Sequence, residues 1–499
     1  MIAILLADNT LHAQSLPRQF RALRRVAFPA RSPATETSGV AVADYDLDGA
    51  PDLVFCDFAD TKQLYLYKND GRGGFADVTA TALPALPRTF AWKVAFLRAD
   101  ADVFPDILVT MAGRKLLLLN QGNGTFKDVS ATNIPQTVIS STGIAVGDVD
   151  GDGDMDVVLT SAWTDNELWL NDGRGVFTDA SVTNLPNART LGSWDATFAD
   201  VDGDKDLDVF FGNSNYKHQT LMINDGKGVF RFDTIGLPGP QTSTRRVAVG
   251  DVDGDGDVDA FFGNFAQQDR LMINDGKGLF RDETVARLPL GLTGTYGAEM
   301  ADIDEDGDLD IVVANYTNPT MPTQPLTLLL NDGTGKFFDA TSHRMPNVPL
   351  NSLCVAIADF DRDRDADIAF AGWLTDDGIY VNHEGQLTAG SAPKIGATWS
   401  LDVHAQPGYA KYKQSGVALL GSSQLVPRVS TPWGQLGISP PWFLIGPWTV
   451  LPSTNGTTTI PVQVPNDPAL QNIDLWLQGV HDHAPTDVRL MNVWHETIR

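Results

Sequence analysis

The sequence predicts an all-β protein, a seven-bladed β-propeller followed by a small C-terminal β-sandwich. A nine-residue aspartate loop recurs seven times, beginning at Asp44, Arg98, Asp148, Asp200, Asp251, Asp302 and Asp359. Successive starts lie 54, 50, 52, 51, 51 and 57 residues apart, and a period of that size marks stacked or ring-closed units. Around each loop the same short apolar runs return in the same order.

Ahead of each loop stands VAVA, VAFL, IAVG, ATFA, VAVG, AEMA or VAIA, and behind it a run such as DLVFC, DVVLT, DVFFG or DIVVA. Short runs rich in Val, Ile and Phe, bounded by turn residues, read as buried strands. A third strand (LYLYKN, LLLLN, LWLN, LMIN, LLLN, IYVN) ends on Asn-Asp-Gly in five copies; that chemistry suits tight hairpins needing positive φ. A fourth strand starts at Phe75, Phe126, Phe177, Phe230, Phe280 or Phe337. Four antiparallel strands per period make one propeller blade. The seventh copy departs from the pattern, Asn382 being followed by His-Glu-Gly-Gln-Leu. The segment from Phe20, FRALRRVAFP, parallels FKDVSATNIP from Phe126. The N-terminal strand is therefore expected to complete the last blade and close the ring, which removes exposed sheet edges.

The loop suits a hard cation. Calcium takes about six to eight oxygens at roughly 2.3–2.6 Å, and acids at alternate positions of a curled loop can supply them. Carboxylates are expected from positions 1, 3, 5 and 9, and a backbone carbonyl from position 7. In the first loop the acids are Asp44, Asp46, Asp48 and Asp52. The third has Asp148, Asp150, Asp152 and Asp156 around Asp154; the fourth Asp200, Asp202, Asp204 and Asp208 around Asp206. The fifth has Asp251, Asp253, Asp255 and Asp259 around Asp257; the sixth Asp302, Asp304, Asp306 and Asp310 around Asp308. The seventh has Asp359, Asp361, Asp363 and Asp367 around Asp365. Position 6 is Gly49, Gly153, Gly256 or Gly307 in four copies, as a turn with positive φ prefers. Lys205 and Arg364 stand there in two others, where metal is expected with more strain. The second loop begins with Arg98 and has Val103 at position 6. It is expected to be metal-free, the guanidinium taking the cation's place against Asp100, Asp102 and Asp106. About six Ca2+ sites are expected in all.

The charge count supports this. The seven windows hold 33 of the 63 acidic residues and 4 of the 36 basic ones, leaving 30 and 32 elsewhere. The formal charge of −27 thus belongs to the loops. Four unneutralised carboxylates would repel one another, so a merely solvated turn is the weaker alternative. Nothing points to nucleic acid.

The pattern apolar–DxDxDGxxD–apolar–NDGxGxF resembles the FG-GAP/VCBS repeat family, which includes the integrin α-chain propeller, over roughly residues 20–390. The resemblance implies a seven-bladed propeller with calcium loops on one face. It also implies an alternative function, because some related calcium propellers are lyases or dehydratases acting on sugars.

Residues 1–14 read as a truncated signal segment, 15–392 as the propeller and 393–499 as the β-sandwich, where segments such as TWSLDVHA and IDLWLQGVH alternate. No apolar run is long enough for a transmembrane helix. Cys56 and Cys354 fall in the first and seventh blades and read as buried thiols. His481, His483 and His495 read as satisfied surface histidines rather than a metal site. Extracellular calcium modules bind at roughly 10⁻⁴–10⁻³ M, which favours a secreted or cell-surface protein. The C-terminal segment resembles the short β-domains appended to bacterial secreted repeat proteins, which implies a bacterial type. The protein is expected to be a monomer.

A five-residue strand spans about 17 Å. The residue six before each loop should therefore lie at the opposite face, near the central funnel: Ser38, Trp92, Thr142, Trp194, Arg245, Tyr296 and Leu353. The loop after the second strand returns there with Phe58, Trp163, Tyr216, Phe265, Tyr316 and Trp373, and with Asn213, Asn264 and Asn315 nearby. Aromatic platforms with polar neighbours suit an extracellular glycan or protein ligand. The alternative is that they plug the channel or pack between blades. For an enzyme, Lys93, Asp195, Arg246 and Glu299 near the axis could move a proton. His218, His343 and His383 sit in no nucleophile motif, and no catalytic residue is assigned.

Overall fold

The computed structural model describes residues 21–22, 36–58, 64–86, 89–185, 191–233, 237–292, 294–304, 306–316, 324–362 and 365–382, with strand backbones between 387 and 497. The segment 1–14, Asp363, Arg364 and His383 lie outside these residues. The chain divides into a unit spanning Phe20–Asn382 and a second containing His383–Arg499.

The first unit is a seven-bladed propeller. The third blade typifies it, with strands Gly143–Gly147, Asp156–Thr160, Glu167–Asn171 and Phe177–Asp179 paired antiparallel in chain order. In the seventh blade, Ser352–Ala358, Asp367–Gly372 and Gly378–Val381 are joined by Arg21–Ala22. Arg21 lies opposite Val381 and Ala22 opposite Tyr380, so the N-terminal strand closes the ring as the sequence predicts.

Second strands are buried throughout, and mostly apolar between their first and last residues, because both their faces are covered. In the first blade Leu53 and Phe55 pack toward the seventh blade, among Phe360, Ala369 and Ile379. Val54 and Cys56 pack toward the second blade, among Ile107, Val109 and Leu118. Trp169 is fully buried, as expected of a third-strand residue. Cys56 and Cys354 are both free and buried, and burial pushes the Cys56 thiol up to about 12.

Beneath the loops runs a polar lattice. The position-9 aspartates, Asp52 through Asp367, are buried in every blade. One oxygen of each accepts the position-2 N–H of its own loop at 2.8–3.2 Å. The other accepts the N–H of the asparagine ending the third strand at 2.7–2.9 Å. The amide of that asparagine then donates to the position-2 carbonyl of the preceding blade at 2.7–2.8 Å. The series runs Asn69, Asn120, Asn171, Asn224, Asn274, Asn331 and Asn382. Asn69 reaches Phe360 across the seam between first and seventh blades. Each position-2 residue thus gives its N–H to its own blade and its carbonyl to the next.

Among the described residues, a one-turn helix follows the fourth strand in five blades, for example Ser181–Asn184. Its first hydroxyl accepts a third-strand N–H, as Ser181 does from Leu168 at 2.9 Å.

The second unit is built from antiparallel strands among its described residues. Thr398–His404 lies between Leu387–Ala389 and Thr457–Gln463. Gly416–Ser422 pairs with Asp474–Ala484, which pairs with Asp487–Thr497, and Leu425–Thr431 pairs with Gly434–Ile438. The side chains of its tryptophans and of His481, His483 and His495 lie outside the described residues.

Asn274→Ala removes two donors, to Val201 and Val258, and leaves two carbonyls unsatisfied. It should destabilise the protein by about 2–4 kcal/mol in urea unfolding. A loss below 0.5 kcal/mol, the scale of a neutral surface change, would show that the lattice carries no load.

Candidate functional site

One end of the propeller holds the aspartate loops. In the third loop Asp148 accepts the N–H groups of Gly151 at 2.8 Å and Gly153 at 3.0 Å, which curls the chain. Gly153 has φ +94°. Lys205 takes φ +77° at the same position of the fourth loop and keeps the bond to Asp200 at 3.0 Å. A left-handed lysine costs roughly 1–2 kcal/mol, so the expected strain is present.

The curl brings carboxylates together. Oxygens of Asp44, Asp46 and Asp48 lie within 4.8 Å of one another, as do those of Asp148, Asp150 and Asp152, of Asp251, Asp253 and Asp255, and of Asp302, Asp304 and Asp306. In the fourth loop the group is Asp200, Asp202 and Asp208, so a position-9 carboxylate also faces the cluster. Burial pushes Asp52, Asp156, Asp208 and Asp259 up to about 7 and Asp310 to about 8. The position-3 aspartates are the most telling. Oδ1 of Asp46, Asp150, Asp202, Asp253, Asp304 and Asp361 is buried without a hydrogen-bond partner. A buried carboxylate oxygen with no donor is unfavourable, and a cation within the curl would satisfy it. The residues fit calcium.

The second loop differs. Its position-3 residue, Asp100, accepts the Asp102 N–H at 3.1 Å through Oδ1, the oxygen left without a partner in the other six loops. Asp102 accepts the Phe104 N–H at 2.9 Å, as the position-5 aspartates of other loops do. Arg98 is exposed and makes no ion pair with Asp100, Asp102 or Asp106 among the described residues. The expected guanidinium substitution therefore does not occur: the acids are held by turn N–H groups, and Arg98 points to solvent. Built-in cations appear instead at other loops: Arg287 lies 3.1 Å from Asp253, Arg344 lies 3.7 Å from Asp304, and Lys68 serves the first loop. Lys68 bonds Asp46 and lies 3.1 Å from Asp48, whose carbonyl also accepts Arg362 Nη2 at 2.9 Å. The other blades carry Leu119, Leu170, Ile223, Ile273, Leu330 or Val381 at the Lys68 position.

At the other end lies a cavity of about 290 Å³. All seven residues placed six before the loops line it: Ser38, Trp92, Thr142, Trp194, Arg245, Tyr296 and Leu353. In six blades this residue interrupts the pairing of the first two strands, as at Trp194 between Ser193 and Asp195. Such a bulge re-aims a side chain, here into the mouth.

Six aromatic rings close a circle around the mouth. Phe58 meets Trp92 at 4.6 Å, Trp92 meets Trp194 at 6.0 Å, and Trp194 meets Tyr296 at 6.0 Å. Tyr296 meets Tyr316 at 4.9 Å, Tyr316 meets Trp373 at 6.5 Å, and Trp373 returns to Phe58 at 5.3 Å. Trp163, 57% exposed, packs on Trp92 and Trp194, and Phe265 packs on Tyr296. Tyr216 is 60% exposed and does not line the cavity. Asn213, Asn264 and Asn315 pin their own loops, for example through Asn264 to the Gln268 carbonyl at 2.8 Å.

Deeper on the axis, Arg246 lies 3.5 Å from Asp195 and 2.5 Å from Glu299, joining three blades. Lys93 Nζ lies 3.4 Å from Cys354 Sγ. Latches link neighbouring blades on this side. Asp269 accepts the Asn264 N–H at 2.7 Å and the Thr295 hydroxyl at 2.7 Å. Asn166 makes the same pair of contacts, accepting from Ser161 N–H and donating to Ser193 Oγ, each at 2.9 Å.

The family described as FG-GAP-like repeat matches residues 44–109, 98–159, 148–211, 200–262, 251–313 and 302–370. The chain belongs to this FG-GAP-like repeat family. Each match begins at an aspartate loop and ends in the second strand of the following blade. Cartilage acidic protein 1 of Mus musculus is 24% identical over 322 residues, covering 57% of this chain and 49% of its own length. The Homo sapiens protein of that name is 23% identical over 322 residues (57% and 48%), and the Xenopus tropicalis one 25% over 336 (57% and 49%). The chain thus spans about half the length of these curated relatives. Among solved structures, the extracellular domain of a putative hybrid two component system from B. thetaiotaomicron aligns with a TM-score of 0.46 at 12% identity, covering 78% of this chain and 46% of that one. No helix among the described residues is long and apolar enough to cross a membrane.

Two outcomes follow for this FG-GAP-like chain. Lys68→Leu should strengthen calcium binding at the first loop by about tenfold or more, since a unit charge near a carboxylate is worth several kcal/mol. Calorimetric titration checks this, and unchanged affinity would contradict it. Burial pushes Asp269 up to about 8, against an unfolded value near 3.9. The folded state then binds the extra proton, so this group's contribution falls as pH rises from about 4 to about 8. Asp269→Asn can keep both contacts in the manner of Asn166. It should be more stable than the parent by about 1 kcal/mol or more at pH 8.5, with the gap shrinking toward pH 4. A constant gap across that range would contradict the burial argument.

Proposed function

We propose that this propeller is an extracellular, calcium-stabilised binding module that engages a glycan or protein ligand through the aromatic mouth. The observation that carries the reading is the cavity lined by one residue from every blade, six of them at a bulge, and walled by a closed circle of aromatic rings. Rigid aromatic surfaces with a few polar groups are what ligand sites are built from.

Calcium has a structural part in this reading. The carboxylates at positions 1, 3, 5 and 9 of six loops would hold it, and it would supply neutralising charge beside strands that run to the mouth. The six orphaned position-3 oxygens support six sites, and the turn-satisfied Asp100 supports leaving the second loop out. Weak calcium affinity typical of extracellular modules, roughly 10⁻⁴–10⁻³ M, supports a location outside the cell.

A lyase or dehydratase needs a free base beside its substrate. Asp195 and Glu299 are both engaged by Arg246, and Asp195 also accepts the Val247 N–H at 3.0 Å. That arrangement favours holding a ligand over transforming one.

Glycan and extracellular-protein arrays in millimolar calcium test the proposal. The parent should bind a defined subset, and Trp194→Ala should lose about tenfold or more in affinity with its melting temperature little changed. Equal binding by Trp194→Ala would move the site elsewhere, and product formation would restore the enzyme reading.

A further inference from the structure

The aromatic mouth contains a cation that no carboxylate among the described residues neutralises. Arg245 stacks over Trp194 with its guanidinium carbon 4.1 Å from the ring centroid, and lies 5.4 Å from Phe265 and 5.5 Å from Tyr296. Its Nε and Nη1 are buried without a hydrogen-bond partner. The polar group acting on it is the Tyr296 hydroxyl, with no carboxylate contributing. Its sequence neighbour Arg246 is placed quite differently, between Asp195 and Glu299. Of the charged side chains lining the cavity, Asp195 is already matched by Arg246, which leaves Arg245 and Lys93 as excess positive charge.

The other polar groups point the same way. The Trp92 indole N–H is buried without an acceptor. Two buried donors at the mouth, the Arg245 guanidinium and the Trp92 indole, thus have N–H groups without an acceptor among the described residues. Burying an unpaired charge is costly, and stacking on aromatic faces offsets only part of that cost. An anion entering the mouth would recover the rest. This local positive site belongs to a chain of formal charge −27, so bulk electrostatics would not gather anions here; the contact has to be specific.

Resting on the binding function proposed above, we infer that the mouth receives a carboxylated sugar, a uronic acid residue whose carboxylate meets Arg245 and Trp92 Nε1 while its ring lies against the aromatic wall. The cavity of about 290 Å³ is at the small end of ligand sites, which suits one sugar ring rather than a helix or an extended oligomer. A pyranose presents apolar C–H faces to aromatic rings, whereas an aspartate or glutamate side chain would leave most of the circle uncovered.

The test uses the full chain in millimolar calcium and isothermal calorimetry. The probes are digalacturonic acid, its neutral methyl ester, and a short glutamate-containing peptide. The acid should bind about tenfold to a hundredfold more tightly than the ester, the scale of a charge-assisted hydrogen bond. Arg245→Gln should bind acid and ester alike. If that variant melts early, the acid-to-ester ratio on the parent chain decides alone. Equal affinity of acid and ester overturns the carboxylate inference and leaves the binding function standing. Binding of the peptide but not the sugars overturns the sugar assignment. Failure of all three probes on a chain that binds a neutral array ligand overturns the inference alone; failure of every array ligand as well overturns both.

Discussion

A propeller must hold its sheets together with few covalent or sequential links between them, and here a buried carboxylate does much of that work. The last aspartate of each loop fixes the loop to its own third strand, and the asparagine it orients reaches back to the preceding blade. Seven repetitions of one contact leave no weak seam, since Asn69 makes it to Phe360 where the chain's two ends meet. The same carboxylate faces the acidic cluster, as Asp208 does with Asp200 and Asp202. Whatever neutralises the cluster therefore acts on the bond network between blades, which fits the proposal that the loops fasten blades and the opposite end binds the ligand.

The two ends of the propeller carry opposite electrostatic problems. The loop end has carboxylate oxygens in want of a donor, at Asp46, Asp150, Asp202, Asp253, Asp304 and Asp361. The mouth has donors in want of an acceptor, at Arg245 and Trp92. Under the proposed function calcium would answer the first and an anionic ligand the second. Blades depart from the consensus in ways that follow this logic. Asp100 is satisfied by its own turn, and Lys68 supplies a cation from the third strand.

Much of this was legible in the sequence because it follows from periodicity. The repeat, the four strands per blade, the closing N-terminal strand and the residue that reaches the far face all depend on counting along extended chain. Contacts set by side-chain direction were not legible. Asn69 and its counterparts read only as hairpin residues, although their amides join the blades. Lys68 read as one more strand residue, while Arg98, at a loop position, looked like the natural cation substitute and instead faces solvent. Long charged side chains have several rotamers, and spacing does not choose between them. Tyr216 comes eight residues after the start of its second strand where Tyr316 comes six, so it lies past the position that reaches the mouth, at φ +57° on an exposed loop outside the cavity. The one-turn helices were missed because a four-residue turn carries no period to count.

Under the proposed function, the lattice between blades depends on cations held by six of the seven loops. The most direct test of that dependence is calcium titration of chelator-stripped protein, followed by calorimetry and thermal melting together. The account requires about six bound ions, one of them weaker at the Lys68 loop, and a melting temperature that rises as they bind. An unchanged melting temperature, or seven equivalent ions including the Arg98 loop, would contradict it.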